Sequence, residues 1–134
     1  MIENNIIGIL IRLMEISEGY SNGRTGLNKS PIVRLADVKT DSPDYVEHEL
    51  RTLFHGLDYE FMRKVEAIIM AGMDIRYNLY VPEDLTDLTA LTRYYQIPTV
   101  EEGGSTCGAC DYILMHFPIH DSIKAYLNRA GISY

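Results

Sequence analysis

Cysteine is scarce in this chain, and its scarcity excludes one class of small fold. The 134 residues contain two cysteines, Cys107 and Cys110, only three positions apart. A small secreted protein stapled by disulfides needs cysteines spread along its length. The apolar run at 1–14 carries Glu3 and lacks the positive start of a secretory signal peptide. The sequence therefore predicts a cytoplasmic protein.

Basic residues are also few, and long apolar runs are missing. Lysine and arginine number 12 against 19 Asp and Glu, which gives a net charge of −7. Because nucleic-acid phosphates need a basic surface, we expect no direct binding to nucleic acid. Because no run approaches the ~20 apolar residues that span a bilayer, we expect no membrane association. The charge suits a basic protein partner.

The hydrophobic pattern that is present is helical. Alternation with a period of two, which marks strands, is nearly absent, and apolar residues recur three and four positions apart. The length suits one domain with one core. We therefore predict an all-α fold, with residues 1–134 forming a single compact domain of five or six short helices.

The first helix is predicted over about residues 2–18. Its apolar stripe covers more than half of the circumference, so it serves either the core alone or the core and a subunit interface. The interface candidates on this helix are Ile2, Ile6, Ile9 and Leu13.

Capping residues, prolines and glycines mark the later helices. Ser42 and Pro43 form a cap and a first turn, and they predict a helix that runs to about His55. Further helices are predicted to begin at Asp58, Pro82, Ser105 or Thr106, and about Pro118. Gly72 interrupts the third helix at a cost in helix stability, so it either permits close packing or ends the helix early.

One long loop is predicted near residues 19–42, which are rich in glycine and asparagine. A loop of more than ~15 residues is usually functional or mobile. Its 23–30 stretch resembles an anion-binding turn, in which backbone N–H groups and basic side chains hold a phosphate. The ligand-binding candidates are Arg24, Lys29, Ser30 and Arg34. A plain solvated loop is the alternative.

Two later segments resemble an uncharacterised bacterial family of small helical proteins. Residues 60–73 have an acidic start and an Ala-(apolar)-Gly end, and residues 112–127 have a Tyr…Pro…Tyr-Leu pattern. The resemblance covers about a third of the chain and implies a helical fold. It departs from the family at Met73, where arginine is usual. It implies no activity and no site residue.

The sharpest chemical motif is Cys107-x-x-Cys110 followed by His116 and His120. Two thiolates and two imidazoles are ligands of Zn²⁺, and the cysteine spacing is suitable. Only five residues separate Cys110 from His116, against ~12 in a zinc finger, so all four converge only if the cysteines form a knuckle and not a helix. A redox pair at a helix N-terminus is a second interpretation. A cysteine pair packed in a helix, with no cofactor, is the third.

Tyrosine dominates the aromatic residues, with 10 Tyr against 3 Phe and no Trp. Its apolar ring and polar tip suit surfaces that a partner covers, although partial burial at the rim of the core gives the same composition. Several tyrosines stand near predicted helix ends, and the adjacent pair Tyr94 and Tyr95 supplies the interface candidates.

Common catalytic motifs are missing. The chain has no serine-hydrolase elbow, no zinc-protease motif and no dinucleotide-binding glycine pattern. The sequence therefore favours a non-enzymatic acidic regulator that binds a protein partner and forms a homodimer. One version is a phage or mobile-element inhibitor of a host defence system. The alternatives are a module that binds a phosphate-bearing ligand at residues 23–30, and a zinc-stabilised helical domain.

Overall fold

Six α-helices make up the regular structure of residues 3–24 and 43–134, the parts of the chain that the computed structural model describes. No strand occurs in these ranges, so the all-α prediction is confirmed. The helices are α1 (Asn4–Arg24), α2 (Pro43–Phe54), α3 (Tyr59–Arg76), α4 (Leu88–Tyr94), α5 (Thr106–Met115) and α6 (His120–Ala130).

The first helix is longer than its pattern predicts. α1 continues to Arg24, so the predicted loop is wrong over residues 19–24. Gly19 lies inside the helix, where glycine lowers stability by about 1 kcal/mol but does not forbid the helical conformation. Residues 25–42, which hold the rest of the predicted loop, lie outside the described part of the chain.

α3 is the central helix of the fold. Met62, Val65 and Ile69 are fully buried on it, and the helix contacts α1, α4, α5 and α6. Burying side chains of this size stabilises a fold by about 1.5–3 kcal/mol each. The contact between α3 and α6 is the most extensive between any two helices of the described chain.

A single glycine explains how closely α3 and α6 approach. A Cβ atom at Gly72 would overlap the backbone carbonyl of Ser122, which lies on α6. Of the two roles that the sequence leaves open, close packing is therefore correct, and the helix continues past Gly72 to Arg76.

The fourth helix begins later than Pro82 predicts. Residues 82–87 form a turn in which the Asp84 carboxylate accepts hydrogen bonds from the backbone N–H of Thr86, at 3.0 Å, and from its hydroxyl, at 2.7 Å. Asp87 then caps α4 by accepting from the N–H of Ala90 at 3.1 Å. A side chain that bonds to nearby backbone competes with helix formation, which delays the start of α4.

Candidate functional site

Exposed aromatic side chains gather where α3 and α4 end. We call the exposed residues Tyr77, Leu79, Tyr80 and Tyr94 the tyrosine surface; they are four of the seven large hydrophobic residues exposed in the described chain. Tyr77 is 68% exposed and Tyr80 is 73% exposed. The ring centroids of Tyr80 and Tyr94 lie 5.9 Å apart, so the two ends of the intervening segment meet at this surface.

Two helix ends with left-handed backbone residues shape the tyrosine surface. After α3, Asn78 has a φ of 58°, and the N–H of Leu79 donates back to the carbonyl of Asp74 at 2.8 Å. This arrangement satisfies carbonyls that the helix end would leave unpaired, and it turns the chain sharply. Asparagine tolerates the conformation better than most residues. The sharp turn directs residues 79 and 80 away from the axis of α3.

The end of α4 repeats this geometry with a less suitable residue. Gln96 has a φ of 55°, and the N–H of Ile97 donates to the carbonyl of Thr92 at 3.2 Å. A non-glycine residue in this conformation costs about 1 kcal/mol and persists only where its surroundings hold it. Two such residues are found in the described chain, Asn78 and Gln96, and both border the tyrosine surface.

Tyr95 anchors the tyrosine surface to the fold. Its hydroxyl donates to the Asp74 carboxylate at 2.8 Å, and its ring meets the Tyr94 ring edge-on at 4.8 Å between centroids. Burial, and then the hydrogen bond to Asp74, raise the pKa of Tyr95, so it remains a donor at any ordinary pH. Of the two predicted interface tyrosines, Tyr94 is therefore exposed, while Tyr95 is half-buried and structural.

A positive charge lies beside the tyrosine surface. The guanidinium carbon of Arg76 is 5.9 Å from the centre of the Tyr77 ring, and its Nη1 donates to the Ser122 hydroxyl at 3.2 Å. A cation near an aromatic face restricts the ring at little cost in exposure. Tyr77 therefore has a cation beside its ring and remains 68% exposed.

The apolar face of α1 faces the core of its own chain. Ile6 and Leu13 are 1% and 0% exposed, and Ile9 is partly buried, whereas Ile2 lies outside the described residues. The structure corrects the interface expectation for Ile6 and Leu13, because side chains already buried in one chain cannot also cover a second subunit.

The two cysteines of the predicted zinc site lie on a helix and not in a knuckle. Ser105 caps α5 by accepting from the N–H of Gly108 at 3.0 Å, and Cys107 and Cys110 follow on the first turns, exposed and buried respectively. Within the described ranges, no three His, Cys, Asp or Glu side chains are grouped to hold a metal ion. The convergence that zinc requires is therefore not formed.

The two histidines of that motif have other contacts. The His116 ring lies 4.4 Å from the Tyr112 ring, centroid to centroid. His120 Nδ1 is 2.8 Å from the hydroxyl oxygen of Ser17, a residue of α1 that is completely buried. His120 thus joins α6 to α1, and it lies in a different contact from His116.

Ser17, His120 and Asp121 resemble a hydrolytic triad by residue type only. The Ser17 oxygen accepts hydrogen bonds from the N–H groups of Ile119, at 2.7 Å, and His120, at 3.1 Å. It therefore caps the N-terminus of α6 from a neighbouring helix, and the same hydroxyl also shares a hydrogen bond with His120 Nδ1. A buried oxygen that already accepts two hydrogen bonds is not placed to attack a substrate. The sequence missed this cap because helix-cap residues are normally local.

A polar cleft of about 820 Å³ lies beside α3 and α4, with Arg63, Arg93, Glu60 and Glu102 as its charged residues. Arg63 donates from Nη1 to Glu60 at 2.7 Å and from Nη2 to the carbonyl of Ile97 at 2.8 Å. Its buried Nε finds no acceptor in the described residues. Arg63 therefore ties the turn after α4 to α3, and equal numbers of acidic and basic groups give the cleft no preference for an anion.

One nearly buried carboxyl lies on α3. Glu66 is 8% exposed, and burial raises its pKa to about 7 in spite of the opposing charge of Arg63. Burial also raises the pKa of Tyr59 and of Tyr112, and the charge of Glu66 adds to both shifts. Glu66 therefore exchanges its proton near neutral pH.

The predicted anion-binding residues fall mostly outside the described chain. Lys29, Ser30 and Arg34 lie in residues 25–42, and Arg24 is the last residue of α1. The ligand-binding alternative therefore remains a prediction from sequence.

No family model, curated protein or solved structure matches this chain. The resemblance of residues 60–73 and 112–127 to a bacterial family thus remains a prediction. The segments themselves form α3 and the α5–α6 region, in agreement with the helical fold that the resemblance implies. Among the described residues, no helix has the length and apolar character needed to cross a membrane.

Proposed function

We propose that this protein is a small acidic interaction protein that binds a protein partner through the tyrosine surface. The observation that carries the proposal is the exposure of Tyr77, Leu79 and Tyr80 next to Tyr94. Clustered exposed apolar residues on a small protein mark interaction surfaces, and tyrosine is enriched at the centres of interfaces.

The tyrosine surface is prepared for binding by its support. Tyr95 is hydrogen-bonded to Asp74, and Asn78 and Gln96 hold the two flanking turns. Ordering mobile side chains on binding costs about 0.5–1.5 kcal/mol each, so a surface held in place beforehand loses less. This support favours recognition of a protein over incidental exposure.

Net charge favours a partner of opposite sign over a second copy of this chain. Each copy carries −7, so two copies repel, whereas a basic protein is attracted. A basic groove that binds nucleic acid is one such surface, and covering it is how an inhibitor of a defence nuclease would act. Steering by charge predicts an association rate that falls as salt is added.

Site-specific photo-crosslinking tests the proposal. A photoreactive phenylalanine analogue is placed at Tyr80 and, as a control, at Tyr134, which is also exposed but is not one of the residues of the tyrosine surface. We expect a specific crosslinked protein from position 80 in cells of the source organism, and none from position 134. Crosslinks of equal pattern from both positions would contradict the proposal, and a crosslink only to a second copy would replace the partner by a homodimer.

A further inference from the structure

Cys107 and Cys110 differ sharply in exposure although they share one turn of α5. Cys107 is exposed, whereas Cys110 is 2% exposed. Residues three positions apart in an α-helix have Cα atoms about 5 Å apart, which lies within the span of a disulfide. We propose that the two cysteines form a reversible disulfide within the chain, in which Cys107 is the attacking sulfur and Cys110 the resolving sulfur.

The surroundings of Cys107 suit an attacking sulfur. Arg51 of α2 directs Nη1 at its Sγ, 3.6 Å away, while Nη2 of the same side chain bonds to Asp111 at 3.1 Å and Glu47 at 3.3 Å. Cys107 is also the second residue of α5. The Cys107 sulfur is therefore in contact with a cation, and because it is exposed a small disulfide can reach it from solution.

The surroundings of Cys110 suit a resolving sulfur. Burial is the main cause that raises the pKa of the Cys110 thiol, and the nearby Cys107 sulfur raises it further, while Arg51 opposes both. Because Cys110 is buried, an oxidant in solution does not reach it, but it lies one helical turn from Cys107. Cys110 therefore attacks only after Cys107 has entered the mixed disulfide.

The first turn of α5 has room to close the bond. A disulfide needs Cβ atoms about 3.5–4.5 Å apart, closer than a regular helix brings them, so the turn must tighten. The two residues between the cysteines are the small Gly108 and Ala109. A Cβ at Gly108 would have the Ser105 hydroxyl, at 3.3 Å, as its one contact within 4 Å beyond its chain neighbours and the backbone of α5, so no other helix of the described chain lies against that side of the turn.

A small-molecule disulfide, such as oxidised glutathione, is the oxidant in this proposal. The Cys107 thiolate attacks one of its sulfurs, breaks its S–S bond and releases one thiolate, leaving a mixed disulfide on Cys107. Cys110 gives its proton to solvent and attacks the Cys107 sulfur, which releases the second thiolate. The protein loses two electrons and two protons, and the oxidant becomes two thiols.

The test is a redox titration of the full chain. Purified protein is equilibrated at graded ratios of reduced to oxidised glutathione, quenched with acid, alkylated and weighed intact. We expect both alkylation sites to disappear together, with no linked dimer. In Cys110→Ser we expect a stable glutathione adduct on Cys107, and in Cys107→Ser we expect Cys110 to remain free. The inference does not depend on the proposed partner binding.

A matched pair of arginine variants tests the role of Arg51. Arg51→Gln should slow alkylation of Cys107 by about tenfold. Arg12→Gln, which removes an arginine paired with Glu49 at 3.1 Å, should leave the rate unchanged. Circular dichroism confirms folding of each variant. Three results would each overturn the proposal. They are wild-type thiols that can still be alkylated at the most oxidising ratio, a disulfide between two chains, and a glutathione adduct that forms on Cys110 in preference to Cys107.

Discussion

Tyrosine is buried in one of the regions that adjoin α3 and exposed in another. Where α3 packs on α6, Tyr126 is 0% exposed and its hydroxyl donates to the carbonyl of Leu85 at 2.6 Å. At the tyrosine surface, beyond the C-terminal end of α3, Tyr80 is 73% exposed. We call the first the closed region, because contacts within the chain bury its tyrosine, and the second, which is the tyrosine surface, the open region.

The difference separates stability from recognition. Burying a tyrosine ring and pairing its hydroxyl stabilises the fold, whereas an exposed ring adds little and raises the risk of aggregation. The left-handed residues Asn78 and Gln96 occur beside the open region. Backbone strain next to side chains that do little for stability is typical of a surface kept for binding.

Gly72→Ala should break the closed region most severely. The added methyl group would overlap the Ser122 carbonyl, which is backbone and cannot rotate away, so α3 and α6 must separate. We expect a loss of about 3 kcal/mol or more in the free energy of unfolding. Urea denaturation followed by circular dichroism at several temperatures measures it.

The same substitution at Gly8 is the control. Gly8 lies in α1 and is exposed, and a methyl group added there would meet no neighbouring side chain within 4 Å. Gly8→Ala should therefore gain up to about 1 kcal/mol from helix propensity. If Gly72→Ala behaved like Gly8→Ala, α3 and α6 would not be in close contact.

Sequence alone identifies Gly72 as unusual but cannot identify what lies against it. Glycine inside an apolar helical pattern indicates either a helix end or a close approach. The choice depends on Ser122, fifty residues later, and on the angle at which α6 crosses α3. The all-α class follows from periodicity, which is local, whereas the crossing is set by tertiary packing.

Local hydrogen bonds explain why α4 begins later than the sequence predicts and why the two cysteines do not form a zinc knuckle. Pro82 is a good first-turn residue, but the Asp84 side chain closes a turn with Thr86 before α4 can start. For the cysteine motif the sequence leaves a knuckle and a helix open, and the Ser105 cap, which the sequence also predicts, makes it a helix. Composition identifies Tyr94 as an interface candidate, whereas no motif marks Leu79, which lies between two predicted helices.

Tyr126→Phe should weaken the closed region by a smaller amount. The ring remains, but the buried carbonyl of Leu85 loses its donor, which costs about 1–2 kcal/mol. Burial raises the pKa of Tyr126, so the hydroxyl is a donor throughout the accessible pH range. Tyr134→Phe, at an exposed position, should change the unfolding free energy by less than about 0.5 kcal/mol. Equal losses in the two variants would refute the role of this hydrogen bond.

Glu66→Gln tests how a buried group of α3 makes the stability of the protein depend on pH. The pKa of Glu66 is about 7 in the folded protein against 4.5 in the unfolded chain, so the fold binds this proton more tightly. Its contribution to stability is therefore complete below about pH 4.5 and is lost as the pH rises through 7. We expect the variant to be more stable than wild type by about 1 kcal/mol near pH 8, and to lose this part of the pH slope.

Thermal unfolding at a series of pH values measures the effect of Glu66→Gln. Glu101→Gln serves as the control, because it removes an exposed carboxylate and changes the net charge by the same amount. The pH dependence would belong to other groups if the slope of stability against pH stayed unchanged in Glu66→Gln, or if it disappeared equally in Glu101→Gln.

Tyr80→Ser should have the smallest effect on stability and the largest on recognition. The side chain is exposed and contacts Tyr94 at its edge, so its loss should change the free energy of unfolding by less than about 0.5 kcal/mol. Affinity for the protein captured by crosslinking should fall by at least about tenfold, because aromatic anchors carry much of an interface's energy. Calorimetry and titration on one preparation measure both quantities. A large loss of stability would place Tyr80 with Tyr126 as a structural residue, whereas unchanged affinity would remove the tyrosine surface from the binding site.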